Sequence, residues 1–215
     1  GSGLSRLFYF TLRGEKKEKA IQILDYGVFG VGDRHMVGND VVTNNGILRL
    51  VINLDRSPER MRSISQQLVA RDLHFERLPA VDGRKLAQEE LSRLEAPYDA
   101  PEKFVFRKAL WPNEIACFLS HTACWKKLAK AAVNGGVIME DDIVLSPRFK
   151  LFATSSEWMP EGVRVIQLHG SHQSFAAGES YPVRDTELCR ILNPTPLCSF
   201  AYLMHRESAA YAVRD

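Results

Sequence analysis

The run Gly136-Val137-Ile138-Met139-Glu140-Asp141-Asp142-Ile143 constrains the fold more than any other stretch of the chain. It is apolar over the length of a strand, opens on glycine and closes on three successive acids. That pattern predicts a buried strand delivering carboxylates to the rim of a sheet. Adjacent carboxylates repel one another, and at the end of a buried strand they need a cation, a basic neighbour or water to offset desolvation. A hard divalent cation such as Mg²⁺ or Mn²⁺, which takes oxygen ligands and shares them with phosphate, meets that need. An acidic turn facing solvent meets it equally well, and these residues alone leave both readings standing.

Whether such a strand can be buried depends on the rest of the chain. With 215 residues, 45% of them hydrophobic, there is enough material for one substantial domain, alone or with an appendage. Acidic and basic residues nearly cancel, leaving a formal charge of +2. This argues against a dedicated nucleic-acid binder, which carries a clear basic excess, and leaves room for a local basic patch facing a phosphorylated small molecule. The four cysteines, Cys117, Cys124, Cys189 and Cys198, show neither a CxxC pair nor zinc-ligand spacing. Cys117 and Cys124 on one helix would stand roughly 10 Å apart along its axis, too far for a disulfide. Free thiols in a reducing compartment are expected, with Cys189–Cys198 as the one local pairing to consider. No signal peptide, membrane span or lipidation motif is visible, and Gly1-Ser2-Gly3 reads as a cloning remnant.

Residues 1–45 read as an N-terminal extension, a surface appendage or a partner-binding segment. The spacing of Gly27, Gly30 and Gly32 is not the dinucleotide fingerprint. Residues 46–215 read as the domain proper. Ile47 to Leu54 is an apolar run suited to the centre of a parallel sheet. After it Ser57 is placed to cap a helix, Pro58 fits the first helical position, and Met61, Ile64 and Leu68 recur at helical spacing. Arg56, Arg60 and Arg62 then cluster near a helix N-terminus beyond a strand end, where an open α/β sheet keeps its ligand crevice. A solvated helix face is the bland alternative. His74 to Leu78 is a second strand, and its turn through Ala80 and Asp82 to Gly83 could hold a ribose hydroxyl or only its own backbone. Ala87 to Leu94 suits a short helix, and Glu95 to Pro112 an irregular pocket-lining loop. The strongest helix runs from Asn113, its cap, to Val133, with Asn134-Gly135-Gly136 as the stop. Ser120 and His121 lie inside it, where a histidine is more often a hydrogen-bonded core residue than a catalyst. Val163 to Leu168 is a strand leading to His169 and His172, too few ligands for zinc. Ser199 to Met204 is a last strand, and a helix starts at Glu207.

Taken together, these pieces resemble glycosyltransferase family 25, the group of bacterial lipooligosaccharide galactosyl- and glucosyltransferases and related collagen galactosyltransferase domains. The resemblance rests on the run from Val51 to Arg60, Ala80-Val81-Asp82-Gly83, Asn113 to His121 with Trp125, Ile138-Met139-Glu140-Asp141-Asp142, and Ala201-Tyr202-Leu203 followed by Ala209-Ala210. It implies an α/β fold of GT-A type, a Rossmann-like nucleotide-binding architecture with a central, mostly parallel sheet flanked by helices. It also implies inverting transfer of galactose or glucose from UDP-galactose or UDP-glucose to a saccharide acceptor of lipooligosaccharide or lipopolysaccharide, with Mn²⁺ or Mg²⁺ held by Glu140 and Asp142. Asn53, Leu54, Arg56, Arg60, Ala80 and Asp82 would line the uridine and phosphates, Ser120 and His121 would lie near the sugar, and Asp141, Asp142 and His121 would serve catalysis.

 The acceptor would be lipid-linked, and the lack of a signal peptide adds the expectation of cytoplasmic action at the inner face of a bacterial inner membrane, with peripheral membrane association. The chain departs from the family pattern in the stretch before Val51 and in its end at Asp215, beyond which family members continue. A general base is needed for inversion, and His169 and Asp185 are the candidates. Two other readings remain: an inactive module that binds a nucleotide sugar or a partner, and a metal-dependent phosphohydrolase built on the same acids.

Overall fold

The apolar run after Gly46 forms strand β2 (Ile47–Asn53), every residue of which is buried. A strand buried along its whole length needs both sheet faces covered, which places it inside a layered α/β unit. The computed structural model describes residues 9–13, 46–94, 111–160, 163–168, 177–184, 186–191 and 200–214. Among these the chain order is β1 (Tyr9–Arg13), β2, α1 (Pro58–Val69), β3 (Glu76–Pro79), α2 (Gln88–Leu94), α3 (Pro112–Lys130) and β4 (Gly135–Glu140). There follow α4 (Phe149–Ala153), β5 (Val165–Gln167), β6 (Ala177–Val183), β7 (Thr186–Ile191), β8 (Ala201–His205) and α5 (Arg206–Ala212).

The strands form one eight-stranded sheet in the order β3-β2-β4-β8-β5-β1-β7-β6. β3, β2 and β4 are mutually parallel, with Val51 beside Met139 and Ile52 beside Glu140. β8 runs against both β4 and β5, β1 runs parallel to β5, and β7 and β6 close the far edge antiparallel. The sheet is therefore mixed: most strands share one direction, and β7 and β8 oppose it. Because Tyr9–Arg13 lies between β5 and β7, part of the stretch set apart as an extension supplies a strand to the sheet.

Period-two alternation along β2 and β4 sends Ile47, Val51, Val137 and Met139 to one face, where Ile64 and Leu68 of α1 and Phe149 and Phe152 of α4 cover them. Leu48, Leu50, Ile52 and Ile138 go to the other face, against Cys124 and Leu128 of α3 and Ala209 of α5. Arg49 breaks this apolar pattern. Buried in β2, it donates from Nε to the Ala153 carbonyl at 2.7 Å and from its terminal nitrogen to the His74 carbonyl at 3.3 Å, tying α4 to the sheet.

The boundaries of α3 and β4 differ from expectation in ways that matter for the site. Helix α3 starts at Pro112 with Trp111 as its cap residue, where Asn113 was expected. Pro112 fits the first turn because its missing N–H has no intrahelical role there, and the Glu114 carboxylate accepts the Trp111 N–H at 2.7 Å. The glycines read as the helix stop belong to β4. A Cβ on Gly136 would lie 2.9 Å from the Leu128 methyls, and one on Gly135 would lie 3.0 Å from the Met204 carbonyl oxygen, so both glycines let neighbouring elements approach. The β6–β7 hairpin was not anticipated. Cys124 is a buried thiol that burial pushes up to about 12. The readings placed on Gly27, Gly30 and Gly32, the loop before Trp111, His169, His172, Asp185 and Cys198 lie outside the described residues.

Candidate functional site

Because β2, β3 and β4 are parallel, their carboxyl ends share one edge of the sheet, and Asn53, Ala80 and Glu140 meet there. Asn53 joins them. An amide offers both donors and an acceptor, and here each is used. Its Nδ2 donates to the Ser57 carbonyl at 2.9 Å and to Asp141 Oδ2 at 2.5 Å. Its Oδ1 accepts from Arg77 Nε at 2.9 Å, while its main-chain carbonyl accepts from Ala80 N at 2.9 Å and from Arg77 at 3.2 Å. Arg77 also pairs with Asp55 at 2.5 Å, which holds the loop after β2. Within that loop the Leu54 carbonyl accepts the Ser57 N–H at 2.9 Å. Ser57 is the cap residue of α1, as its position predicts, but its hydroxyl makes no capping bond.

The three acids point apart. Glu140 is directed toward α3, with Oε1 3.5 Å from His121 Nε2. Asp141 is buried against Asn53, and its other oxygen lies 3.5 Å from the Arg60 guanidinium. Asp142 is more open and accepts from Arg60 at 3.2 Å. Burial, then the Glu140 and Asp141 charges, hold Asp142 above the ordinary carboxylate range despite Arg60. The donors here are hard oxygens, the ligand type that a divalent cation takes, and Asp142 is open enough to meet one. Of the expected pair, Asp142 faces this opening, while Glu140 is turned toward α3 and would have to swing to share a cation with it. The chain beyond them is fixed to α1: Gln67 bonds the Ile143 carbonyl at 3.1 Å and the Leu145 N–H at 2.6 Å, and Arg71 reaches the Leu145 and Ser146 carbonyls.

On the other side of Asn53, Asp82 accepts from Arg56 Nε at 3.0 Å and from the backbone and guanidinium of Arg84. These bonds, those of Arg84 foremost, hold its carboxyl well below the usual range. Gly83 follows because nothing larger fits: a Cβ there would lie 2.7 Å from the Pro112 carbonyl oxygen and from Asn113 Oδ1. Ser120 accepts the Val81 N–H at 2.9 Å and donates to the Ala116 carbonyl at 2.7 Å, fixing the Ala80–Asp82 turn to α3.

His121 is buried in α3 at the same edge. Its Nδ1 shares a 2.9 Å hydrogen bond with the Tyr202 hydroxyl, whose oxygen accepts from Trp125 Nε1 at 2.8 Å. Burial disfavours the imidazolium, but the Cys117 and Glu140 groups beside it outweigh that and raise the histidine to about 9.

The expected residues fall into neighbouring contact sets, Asn53 with Leu54, Ala80, Asp141, Arg60 and Asp142, then Arg56 with Asp82, Ser120 with the Ala80–Asp82 turn, and His121 with Glu140. Sequence reasoning missed Arg77, Arg84 and Tyr202 as organisers and Cys117 as a neighbour of His121. The four-residue spacing of Cys117 and His121 on a helix was the one visible signal, since it places both on one face.

Comparison with known proteins decides what kind of domain carries this edge. The profile of glycosyltransferase family 25, described as an LPS biosynthesis protein, matches residues 47–184. The chain belongs to glycosyltransferase family 25. The family 25 match spans β2 through the start of the β6–β7 turn and includes the three acids. A glycosyltransferase 25 family member from Drosophila pseudoobscura pseudoobscura is 35% identical over 104 residues, covering 46% of this chain and 16% of that protein. Human procollagen galactosyltransferase 2 is 28% identical over 108 residues, covering 46% of this chain and 16% of that protein. The mouse inactive glycosyltransferase 25 family member 3 is 28% identical over 108 residues, covering 46% and 17%. The aligned segment of this family 25 chain thus spans about a sixth of the curated relatives' length. Its mixed sheet with helices on both faces is the α/β architecture of a family 25 domain.

Proposed function

We propose that this family 25 domain transfers galactose or glucose from a UDP-sugar to a saccharide hydroxyl with inversion, assisted by Mn²⁺ or Mg²⁺. The observation that carries the reading is the juxtaposition of Arg60 with Asp141 and Asp142 beyond the parallel strand ends. A cation at Glu140 and Asp142 would supply charge stabilisation to the leaving diphosphate. Arg56 and Arg60, both partly exposed, would bind phosphate oxygens, and Asn53 keeps Asp141 oriented toward the sugar side. His121, buried beside Glu140, would lie near the sugar. The acceptor in this reading is a lipopolysaccharide saccharide, after the family's description, reached at a membrane surface by peripheral association; the human relative's name makes a procollagen acceptor the alternative.

An inactive binding module is the second reading, favoured by the mouse relative named as inactive. Incubating the protein with a panel of UDP-sugars, acceptor saccharides and Mn²⁺ and measuring released UDP separates them. Turnover of UDP-galactose or UDP-glucose, with no hydrolysis of simple phosphate esters, is expected. Calorimetric UDP binding without release would favour the inactive module, and ester hydrolysis without a UDP-sugar preference would favour a phosphohydrolase.

A further inference from the structure

The buried histidine of α3 stands beside a cysteine that the proposed transfer does not use. Cys117 and His121 are separated by four residues, so they stack on one side of the helix, and β4 ends beside them at Glu140. The Cys117 sulfur, a His121 ring nitrogen and a Glu140 carboxylate oxygen all lie within 4.8 Å of one another. The second observation is the state of the ring. His121 Nε2 is buried with no hydrogen-bond partner, and it points at Glu140 Oε1 3.5 Å away. Ligand atoms on a tetrahedral zinc ion, with bonds of about 2.0–2.3 Å, stand roughly 3.3–3.6 Å apart, which the nitrogen–oxygen pair already matches.

We propose that Cys117, His121 and Glu140 bind a transition metal ion of the zinc class at the contact between α3 and the end of β4. Thiolate and imidazole donors select such ions over Mg²⁺ and Mn²⁺, so this site differs in chemistry from a carboxylate site at Asp142, although Glu140 is common to both. The surroundings are arranged as ligand support. The far ring nitrogen, Nδ1, is fixed by the Tyr202 hydroxyl, and that hydroxyl is fixed by Trp125, the outer-shell pattern that orients metal-bound histidines. Cys117 is exposed, so the fourth coordination position opens to water and gives the ion its way in. Binding exchanges the thiol and imidazole protons for the ion and staples the middle of α3 to the strand that carries the acids. The inference does not depend on sugar transfer.

Titration of the whole chain with Co²⁺ as a spectroscopic probe tests it. A thiolate-to-cobalt charge-transfer band in the near ultraviolet is expected, and Zn²⁺ should abolish it. Cys117→Ser, at an exposed position and with folding checked by circular dichroism, should remove the band. Tyr202→Phe should keep the band and weaken binding by about 10–100-fold. Absence of the band in the wild type, its survival in Cys117→Ser, or its persistence under excess Zn²⁺ would each overturn the proposal.

Discussion

Asn53 and Asp82 occupy the ends of neighbouring strands and do different physical work. Asn53 uses a neutral amide to fix one oxygen of a carboxylate, Asp141, whose other oxygen faces Arg60. Asp82 is itself the fixed charge, held between Arg56 and Arg84. Its carboxyl is depressed in the folded chain, so its contribution to stability is fully present above the ordinary aspartate pKa of about 4 and is lost as pH falls through the folded value. The stability difference between the wild type and Asp82→Asn, measured by denaturant unfolding, should therefore be constant near neutrality and shrink in acid. A difference that grows as pH falls would contradict this assignment. The opposite treatment of Asp142, pushed up by burial and by neighbouring acids, was not legible from three consecutive letters. Sequence places the acids together; only the fold shows that Glu140 faces α3 while Asp142 faces Arg60.

At the scale of elements, α3 is held against the sheet edge at both its ends by glycine. Gly136 admits Leu128 near the helix C-terminus, and Gly83 admits the Pro112 carbonyl at its start. Between them Ser120 and His121 reach the Val81 turn and Glu140. Gly83→Ala would force a methyl group against backbone that cannot rotate away, so a loss of about 1–3 kcal/mol is expected, seen as a lower denaturation midpoint at unchanged slope. An unchanged midpoint would show that the helix start yields freely. These contacts explain which elements were legible beforehand. β2, α1, α3, β4, β5, β8 and α5 each carry a strong local signal, an apolar run or helical spacing, and each was anticipated within a few residues. The β6–β7 hairpin carries charges and a proline, and β1 lies far in sequence from its partners β5 and β7, so pairing across the sheet, not local pattern, creates them.

For the whole molecule, the parallel β3-β2-β4 edge assembles a site whose parts are distant in sequence, from Asn53 through Asp82 and His121 to Asp142. Their order along the chain and their residue types carried the family resemblance, and the family match agrees with it. The contacts of Arg77, Arg84, Cys117 and Tyr202 came from tertiary structure alone, because an isolated arginine, cysteine or tyrosine has no local signature for its partner. In the proposed transfer the end of β4 would anchor a cation on which UDP-sugar turnover depends. Replacing Asp142 by Ala and measuring Mn²⁺-dependent UDP release from UDP-galactose and UDP-glucose tests it most directly. Loss of turnover in a variant that keeps the wild-type circular dichroism spectrum is the predicted result; release at the wild-type rate would contradict it.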